Sequence, residues 1–279
     1  MSDSESVRAE PGTSGAGSAH NGSTAAGSTY NEPAHNEPAR PGPAMAGYRQ
    51  VRRNMTDLLV SGPPDLAAAV PGCPDWNVGQ LASHLVQVCA MVHDRIISGE
   101  AAAEGAGGGP PPAGIQFSLL PADRATAPLP AGGIGELLDD WARLSGPVEQ
   151  FLSEAFSIRR GILVMDAFTH ELDLRQALGV APPTPEHPAL PVAMGILAKG
   201  LSLSTRGHAL PALRVESELG QWLVGEGEPA ATVAGSWYDI YQAMSGRLTE
   251  DRIRGLRWSI DPAPWIPAFT WGPFVVPAR

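Results

Sequence analysis

Asp166 and His170 stand four residues apart in the run Gly161-Ile-Leu-Val-Met-Asp-Ala-Phe-Thr-His170-Glu-Leu-Asp173. In a helix that spacing stacks a carboxylate and an imidazole on one face, about one turn apart. His84 lies on an earlier apolar segment, three residues after Leu81 and four before Val88. Two imidazoles and one carboxylate are a usual protein donor set for a catalytic divalent metal with an open coordination position. Zinc suits that set best. If His84, Asp166 and His170 converge, the chemistry is that of a metalloenzyme.

A bland reading stands beside this one. A histidine on an apolar helix face is more often a hydrogen-bonded core residue than a ligand. Asp166 shifts the balance, because a carboxylate among Val164, Met165, Ala167 and Phe168 needs a partner or a cation. Asp173 can share the face of His170. It can orient a ring nitrogen as an acceptor, or pair with Arg175 or Arg206. Glu171, about a quarter-turn round the helix, is expected to be solvated and is the alternative carboxylate ligand. Cys73 and Cys89 lack metal-ligand spacing, and Cys89 reads as a small core residue. His93 and His187 have no partner motif, and no nucleotide fingerprint, phosphate loop or nucleophile elbow occurs.

The elements that must position these residues can be read in order. A first helix is expected over about Met45–Ser61, stopped by Pro63-Pro64. Asn77, with Gln80 three residues on, makes a capping-box start for the helix that carries His84, which ends near Gly99. Residues 101–114 are a Gly/Ala/Pro loop. A third helix covers about Ile134–Ala155, with Pro147 expected to kink or interrupt it. A fourth covers about Ile158–Leu178 and stops at Gly179 in a left-handed conformation. A fifth covers about Ala189–Ser204. Such helices, each with an apolar stripe, make a bundle, and bundle metal sites lie between facing helices. After Gly207 the pattern becomes short strands at 213–217, 221–224, 231–234 and 256–260, with a helix over Tyr238–Arg247.

Composition bounds the rest. The chain has 279 residues and a net charge of −10, with Lys199 the only lysine, which argues against nucleic acid as a partner. Residues 1–44 contain one aromatic, Tyr30, and no Leu, Ile or Phe. Such a segment cannot bury enough apolar surface to offset its ordering entropy and is expected to be a disordered, dispensable tail. It lacks the basic start and apolar core of a signal peptide. No apolar run reaches the length of a membrane span. Two cysteines are too few for a disulfide scaffold, so a reduced, cytoplasmic setting is expected. The division that follows is a tail at 1–44, a helical, metal-binding domain at 45–206 and a small α+β domain at 207–279; the fold class is α+β.

Pro71-Gly-Cys-Pro-Asp-Trp-Asn-Val-Gly-Gln-Leu-Ala-Ser-His84-Leu resembles the signature of the mycothiol-dependent maleylpyruvate isomerase family. His170-Glu-Leu-Asp-Leu-Arg-Gln-Ala-Leu-Gly179 resembles its second signature. Gly246-Arg247-Leu-Thr and Trp258-Ser-Ile-Asp261-Pro resemble parts of its smaller C-terminal domain. The resemblance spans about residues 45–275 and implies a DinB-like four-helix bundle followed by that α+β domain. It implies a divalent metal, usually zinc, held by His84, Asp166 and His170, with Asp166 standing where the family prefers Glu. It also implies that Arg247, from the C-terminal domain, holds an acidic substrate. The cofactors implied are the metal and mycothiol. In the implied reaction a thiol deprotonated at the metal adds to an electrophilic carbon. Addition across a cis double bond, rotation and elimination give an isomerase; a retained adduct gives an S-transferase. The partners expected are a small electrophilic substrate and a low-molecular-weight thiol, with no nucleic acid and no membrane, in a monomer or homodimer. A non-catalytic metal- or small-molecule-binding regulator on the same fold is the second reading.

Overall fold

The computed structural model describes residues 42–61, 65–99 and 128–277. The expectations for residues 1–41 and for the loop at 101–114 lie outside these. Helix α1 spans Pro43–Val60, α2 Val78–Ile97, α3 Gly133–Ser153, α4 Ile158–Ala177 and α5 Leu190–Gly207. The first helix begins two residues before its expected start. Pro43 and Ala44, assigned by sequence to the tail, form its first turn, with Ala44 buried. Pro43 suits that place because its fixed φ is already helical and its missing N–H would have no partner there.

Helices α1 and α2 both pack on α3 and α4, and α5 packs on α1 and α4. The apolar stripes predict this: Tyr48, Val51, Met55 and Leu59 of α1 and Leu81, Leu85 and Val88 of α2 are buried. Between α1 and α3, Trp141 Nε1 donates to the Tyr48 hydroxyl at 3.1 Å. Of the kink or interruption expected at Pro147, the interruption does not occur; α3 runs through it, with its neighbour Val148 fully buried. Packing on both sides outweighs the hydrogen bond that proline cannot donate.

Helix α4 is the centre of the bundle. Every residue from Gly161 to Leu174 is buried except Asp166, which is partly so. A helix enclosed on all sides has no solvent face for its polar residues, so Asp166, Thr169, His170, Glu171 and Asp173 must each find a partner inside. Its end is as expected, with Gly179 at φ 66°.

A short antiparallel hairpin not foreseen from sequence, β1 (Ala69–Val70) and β2 (Cys73–Asn77), precedes α2 and touches α4 through β1. Beyond Gly207 come β3 (Leu213–Ser217), β4 (Gly220–Val224), β5 (Ala231–Ala234), helix α6 (Trp237–Met244), helix α7 (Glu250–Arg254) and β6 (Arg257–Trp258). The sheet order is β4-β3-β5-β6, with β3 and β5 parallel and the other pairs antiparallel. The last strand is shorter than the expected 256–260. Thr249 caps the unforeseen α7 by accepting from Arg252 N, and that helix takes up the chain just before β6. Helix α6 packs on β3 and α5 packs on β4, so the sheet closes against the last helix of the bundle. The architecture is α+β. Among the described residues no helix is long and apolar enough to cross a membrane.

Candidate metal centre

Asn77 ends β2 and starts α2. Its side chain accepts from Gln80 N at 2.9 Å while Gln80 Oε1 accepts from Asn77 N at 2.9 Å. This reciprocal cap fixes the first turn of α2, and His84 follows on the next turn, on the face toward α4. Ser157 caps α4 by accepting from Arg160 N, and Asp166 and His170 project from the middle of that helix.

The three groups converge. His84 Nε2 lies 3.5 Å from Asp166 Oδ2, and His170 Nε2 lies 3.8 Å from Asp166 Oδ1. The two imidazole rings meet edge to face, with centroids 4.9 Å apart. Donors held about 2.0–2.2 Å from a tetrahedral cation stand about 3.3–3.6 Å from one another. The His84–Asp166 separation falls in that range, the His170–Asp166 separation is slightly wider, and all three atoms lie within 4.8 Å of one another, so a small contraction would close them round one ion. Both histidines are 6% exposed. Among the described residues, His84 Nδ1, His84 Nε2 and Asp166 Oδ2 are buried without a hydrogen-bond partner. The carboxylate oxygen and the imidazole nitrogen that bears no hydrogen are buried acceptors that a cation would satisfy. Burial raises the Asp166 carboxyl, but the contact with His84, then His170 and Arg247, outweighs it and holds the group below the usual Asp value.

The two histidines are oriented by different means. His170 Nδ1 lies 2.9 Å from Asp173 Oδ2. Asp173 is 1% exposed and is also gripped by Arg247, whose Nη2 donates at 2.8 Å and Nε at 3.2 Å. An ionised carboxylate only accepts, so the hydrogen sits on His170 Nδ1 and the Nε2 lone pair faces Asp166. Burial raises the Asp173 carboxyl, yet the Arg247 charge and the His170 hydrogen bond prevail and hold it well below the usual range. The same pairing holds the Arg247 guanidinium above its ordinary value against the effect of burial. Of the sequence alternatives for Asp173, orientation of a ring nitrogen is the one found; Arg175 pairs with Glu171 and Arg206 with Glu226. Trp76 of β2 covers both imidazoles, its ring centroid 4.8 Å from His84 and 5.5 Å from His170.

A cavity of about 220 Å³ opens on this set, lined among others by Cys73, His84, Asp166, His170, Arg247 and Phe274. Arg247 stands in the wall, but its N–H groups are largely committed. Besides Asp173, Nη1 donates to Ser245 O at 2.7 Å and Nη2 approaches Cys73 Sγ at 3.5 Å. Cys73, His170 and Asp173 form a second donor group that shares His170. There Asp173 is already saturated and a cation would face Arg247, so the group containing His84 is the one with lone pairs to offer. The Cys73 thiol is pushed up to about 12, first by burial and then by the Asp173 charge, with Arg247 relieving only part of it.

Glu171 is not solvated, as the spacing had suggested; it is 0% exposed. It turns from the cavity toward α1 and α5, accepting from Asn54 Nδ2 at 2.8 Å and Arg175 Nε at 2.9 Å, with His187 Nε2 3.3 Å away. His187, given no partner by sequence, finds one here. Sequence reasoning also assigned no role to Gly72, Cys73 and Trp76. The signal available was their place in the Pro71-Gly-Cys-Pro-Asp-Trp run directly before the α2 cap.

Residues 48–175 match the family described as mycothiol maleylpyruvate isomerase N-terminal domain. The chain carries this domain. All three candidate ligands fall inside the matched isomerase-type domain, whereas Arg247 and Phe274 lie beyond it. The fold is similar to the crystal structure of a mycothiol-dependent maleylpyruvate isomerase at 14% identity, covering 78% of this chain and 92% of that one with a TM-score of 0.50. A mutant of such an isomerase aligns over the same shares at 13% identity and a TM-score of 0.47. No curated protein matches the chain.

Proposed function

We propose that this protein is a metal-dependent, mycothiol-dependent isomerase or S-transferase acting on a small, electrophilic, acidic substrate. The observation that carries this reading is the pair of buried, unpartnered donor atoms, His84 Nε2 and Asp166 Oδ2, facing His170 Nε2 at the mouth of one cavity. The matched isomerase-type domain supports the thiol.

His84, Asp166 and His170 would hold the ion, and zinc fits two imidazoles and a carboxylate with a position left open. A divalent cation held there would lower the pKa of a bound thiol and so favour its thiolate form at neutral pH. The protein's own groups do the rest. Asp173 keeps the hydrogen on His170 Nδ1 and so keeps Nε2 available. Trp76 lies over both imidazoles and limits the water that reaches them, which strengthens every charge interaction in the cavity. Arg247 brings positive charge to the wall. With its other N–H groups engaged, at most one N–H on Nη1 remains for a substrate carboxylate. The metal-binding domain in this reading runs from Pro43, where α1 starts, to about residue 206, and residues 207–279 wall the cavity through Arg247 and Phe274.

The test uses the full chain loaded with zinc, mycothiol and an activated cis-enoic acid, with geometry and free thiol followed together. Isomerisation by addition and elimination regenerates the thiol, so the cis acid turns over with thiol constant. S-transfer consumes one thiol per product. Neither turnover nor thiol loss across a panel of such acids, with metal bound, would overturn the enzyme reading and favour the non-catalytic regulator.

A further inference from the structure

The wall of the cavity contains a chain of contacts that begins outside the isomerase-type domain and ends on a candidate ligand. Arg247 follows Gly246 after α6 and reaches back to Asp173 with a two-pronged grip. Asp173 in turn takes the hydrogen of His170 Nδ1. The hairpin closes this arrangement from a third side. Gly72 lies so near that a Cβ there would collide with Asp173 Oδ1, stand 2.9 Å from Asp173 Cγ and 3.2 Å from Arg247 Cγ. Cys73 Sγ, 3.6 Å from Asp173 Oδ2, fills the remaining side.

From this we infer that Arg247 is a positioning residue: through Asp173 it sets the tautomer and orientation of His170, and so couples the C-terminal part of the chain to metal affinity. The inference rests on the metal-site reading above for its second half only. A carboxylate with 1% exposure stays ionised only while a cation or several donors hold it. Arg247 supplies two of the hydrogen bonds and the only formal positive charge in direct contact with Asp173 among the described residues. Without that two-pronged grip nothing fixes the plane of the Asp173 carboxylate, and it turns away. Its Oδ2 then no longer holds the Nδ1 hydrogen, and the imidazole can place its hydrogen on Nε2, removing the lone pair that faces Asp166. The fork shape matters as well as the charge, because two parallel N–H groups fix the plane of the carboxylate and a single ammonium does not.

The experiment compares the full-length wild type with Arg247→Met, Arg247→Lys and Asp173→Asn. Zinc affinity is read by competition with a chromogenic chelator. Tautomers are read from nitrogen–proton correlation spectra of histidine-labelled, metal-free protein, at a pH well above the ordinary imidazole range. The wild type should carry the His170 hydrogen on Nδ1. Arg247→Met should lose roughly 10- to 100-fold in zinc affinity, the scale expected when a ligand's hydrogen-bond partner is lost, and should move the His170 hydrogen toward Nε2. Arg247→Lys should fall between the two, and Asp173→Asn should match Arg247→Met. The choice of protonated nitrogen on His84 should not change. A wild-type hydrogen on Nε2, or an Arg247→Met protein that keeps both the Nδ1 hydrogen and the affinity of the parent, overturns the inference. If Arg247→Met does not fold, Arg247→Lys carries the same two readouts. A wild type that takes up no zinc defeats the proposed function alone, since the tautomer spectra still decide the role of Arg247.

Discussion

Helix α4 presents a carboxylate to a neighbouring histidine on each of two faces, and the two faces are finished differently. Toward α1 and α5, Glu171 has a built-in cation in Arg175, an amide donor in Asn54 and His187 beside it. His187 is itself fixed, its Nδ1 accepting from Ala189 N at 3.2 Å. Toward the cavity, Asp166 meets two imidazoles and, among the described residues, no guanidinium or ammonium at hydrogen-bond distance. One oxygen on each face, Asp166 Oδ2 and Glu171 Oε2, lacks a hydrogen-bond partner, so the built-in cation is what separates the two. Burial penalises both carboxylates. The protein supplies the compensating charge on one face and leaves it to be supplied on the other. A buried carboxylate near a histidine is therefore not by itself a metal site; one whose neighbours lack a built-in cation is the better candidate.

The largest effect should come from emptying the open face. Purified protein should hold about one divalent cation per chain, as a single set of two imidazoles and one carboxylate provides. His84→Ala and His170→Ala should each lose most of it, by roughly 100-fold or more in affinity, at least the upper end of what losing a ligand's supporting partner costs. Elemental analysis and chelator competition measure this. Full occupancy in both variants would erase the distinction between the two faces.

A smaller effect is expected at Asp166. Asp166→Asn keeps the shape and one acceptor but removes the charge, and should weaken metal binding by roughly 10-fold or more. Asp166→Glu should be tolerated or bind more tightly. The oxygens of Asp166 already stand 3.5 and 3.8 Å from the two imidazole nitrogens. The aspartate therefore reaches the shared point without a bridging water, and an extra methylene of about 1.5 Å needs only a rotamer change in a cavity of about 220 Å³. Asp166→Glu binding at least 10-fold more weakly than Asp166→Asn would show that the short side chain is required by the packing.

Much of the frame that holds these residues was legible. The stripes of α1, α2 and α3 and the Asn77–Gln80 cap depend on local spacing, and spacing is what a sequence displays. The i,i+4 pair of Asp166 and His170 was legible for the same reason. Glu171 was misread because stripe logic assumes a solvent face, and α4 has almost none; a polar residue on a fully enclosed helix looks the same in sequence as one on a wet surface. Asp173 offered Arg175 and Arg206 as nearby partners in the chain, but its partner is Arg247, 74 residues away, brought in by packing that no local pattern encodes. Trp76 and Cys73 sit on a five-residue strand with little periodicity, so their place over the imidazoles appears only once the hairpin is folded against α4.

The sharpest test of the comparison is the face expected to leave the metal alone. Glu171→Gln preserves size and the Asn54 contact while removing the charge that Arg175 meets. Arg175 is left with a neutral acceptor in a site that is 0% exposed at residue 171, and a charge-assisted hydrogen bond becomes an ordinary one. The expected cost is about 1–3 kcal/mol of stability. That is a fall in melting temperature of roughly 2–12 °C for a domain of this size. Zinc affinity should stay within about 2-fold, because Glu171 shares no direct contact with the donor atoms and effects of groups without shared partners are nearly additive. The two readouts must separate. Asp166→Asn should weaken the metal while lowering the metal-free melting temperature only slightly, since the substitution removes the burial penalty together with the His84 and His170 contacts that outweigh it. If Glu171→Gln abolishes zinc binding and Asp166→Asn leaves it intact, the roles of the two faces are reversed and Glu171 is the carboxylate ligand.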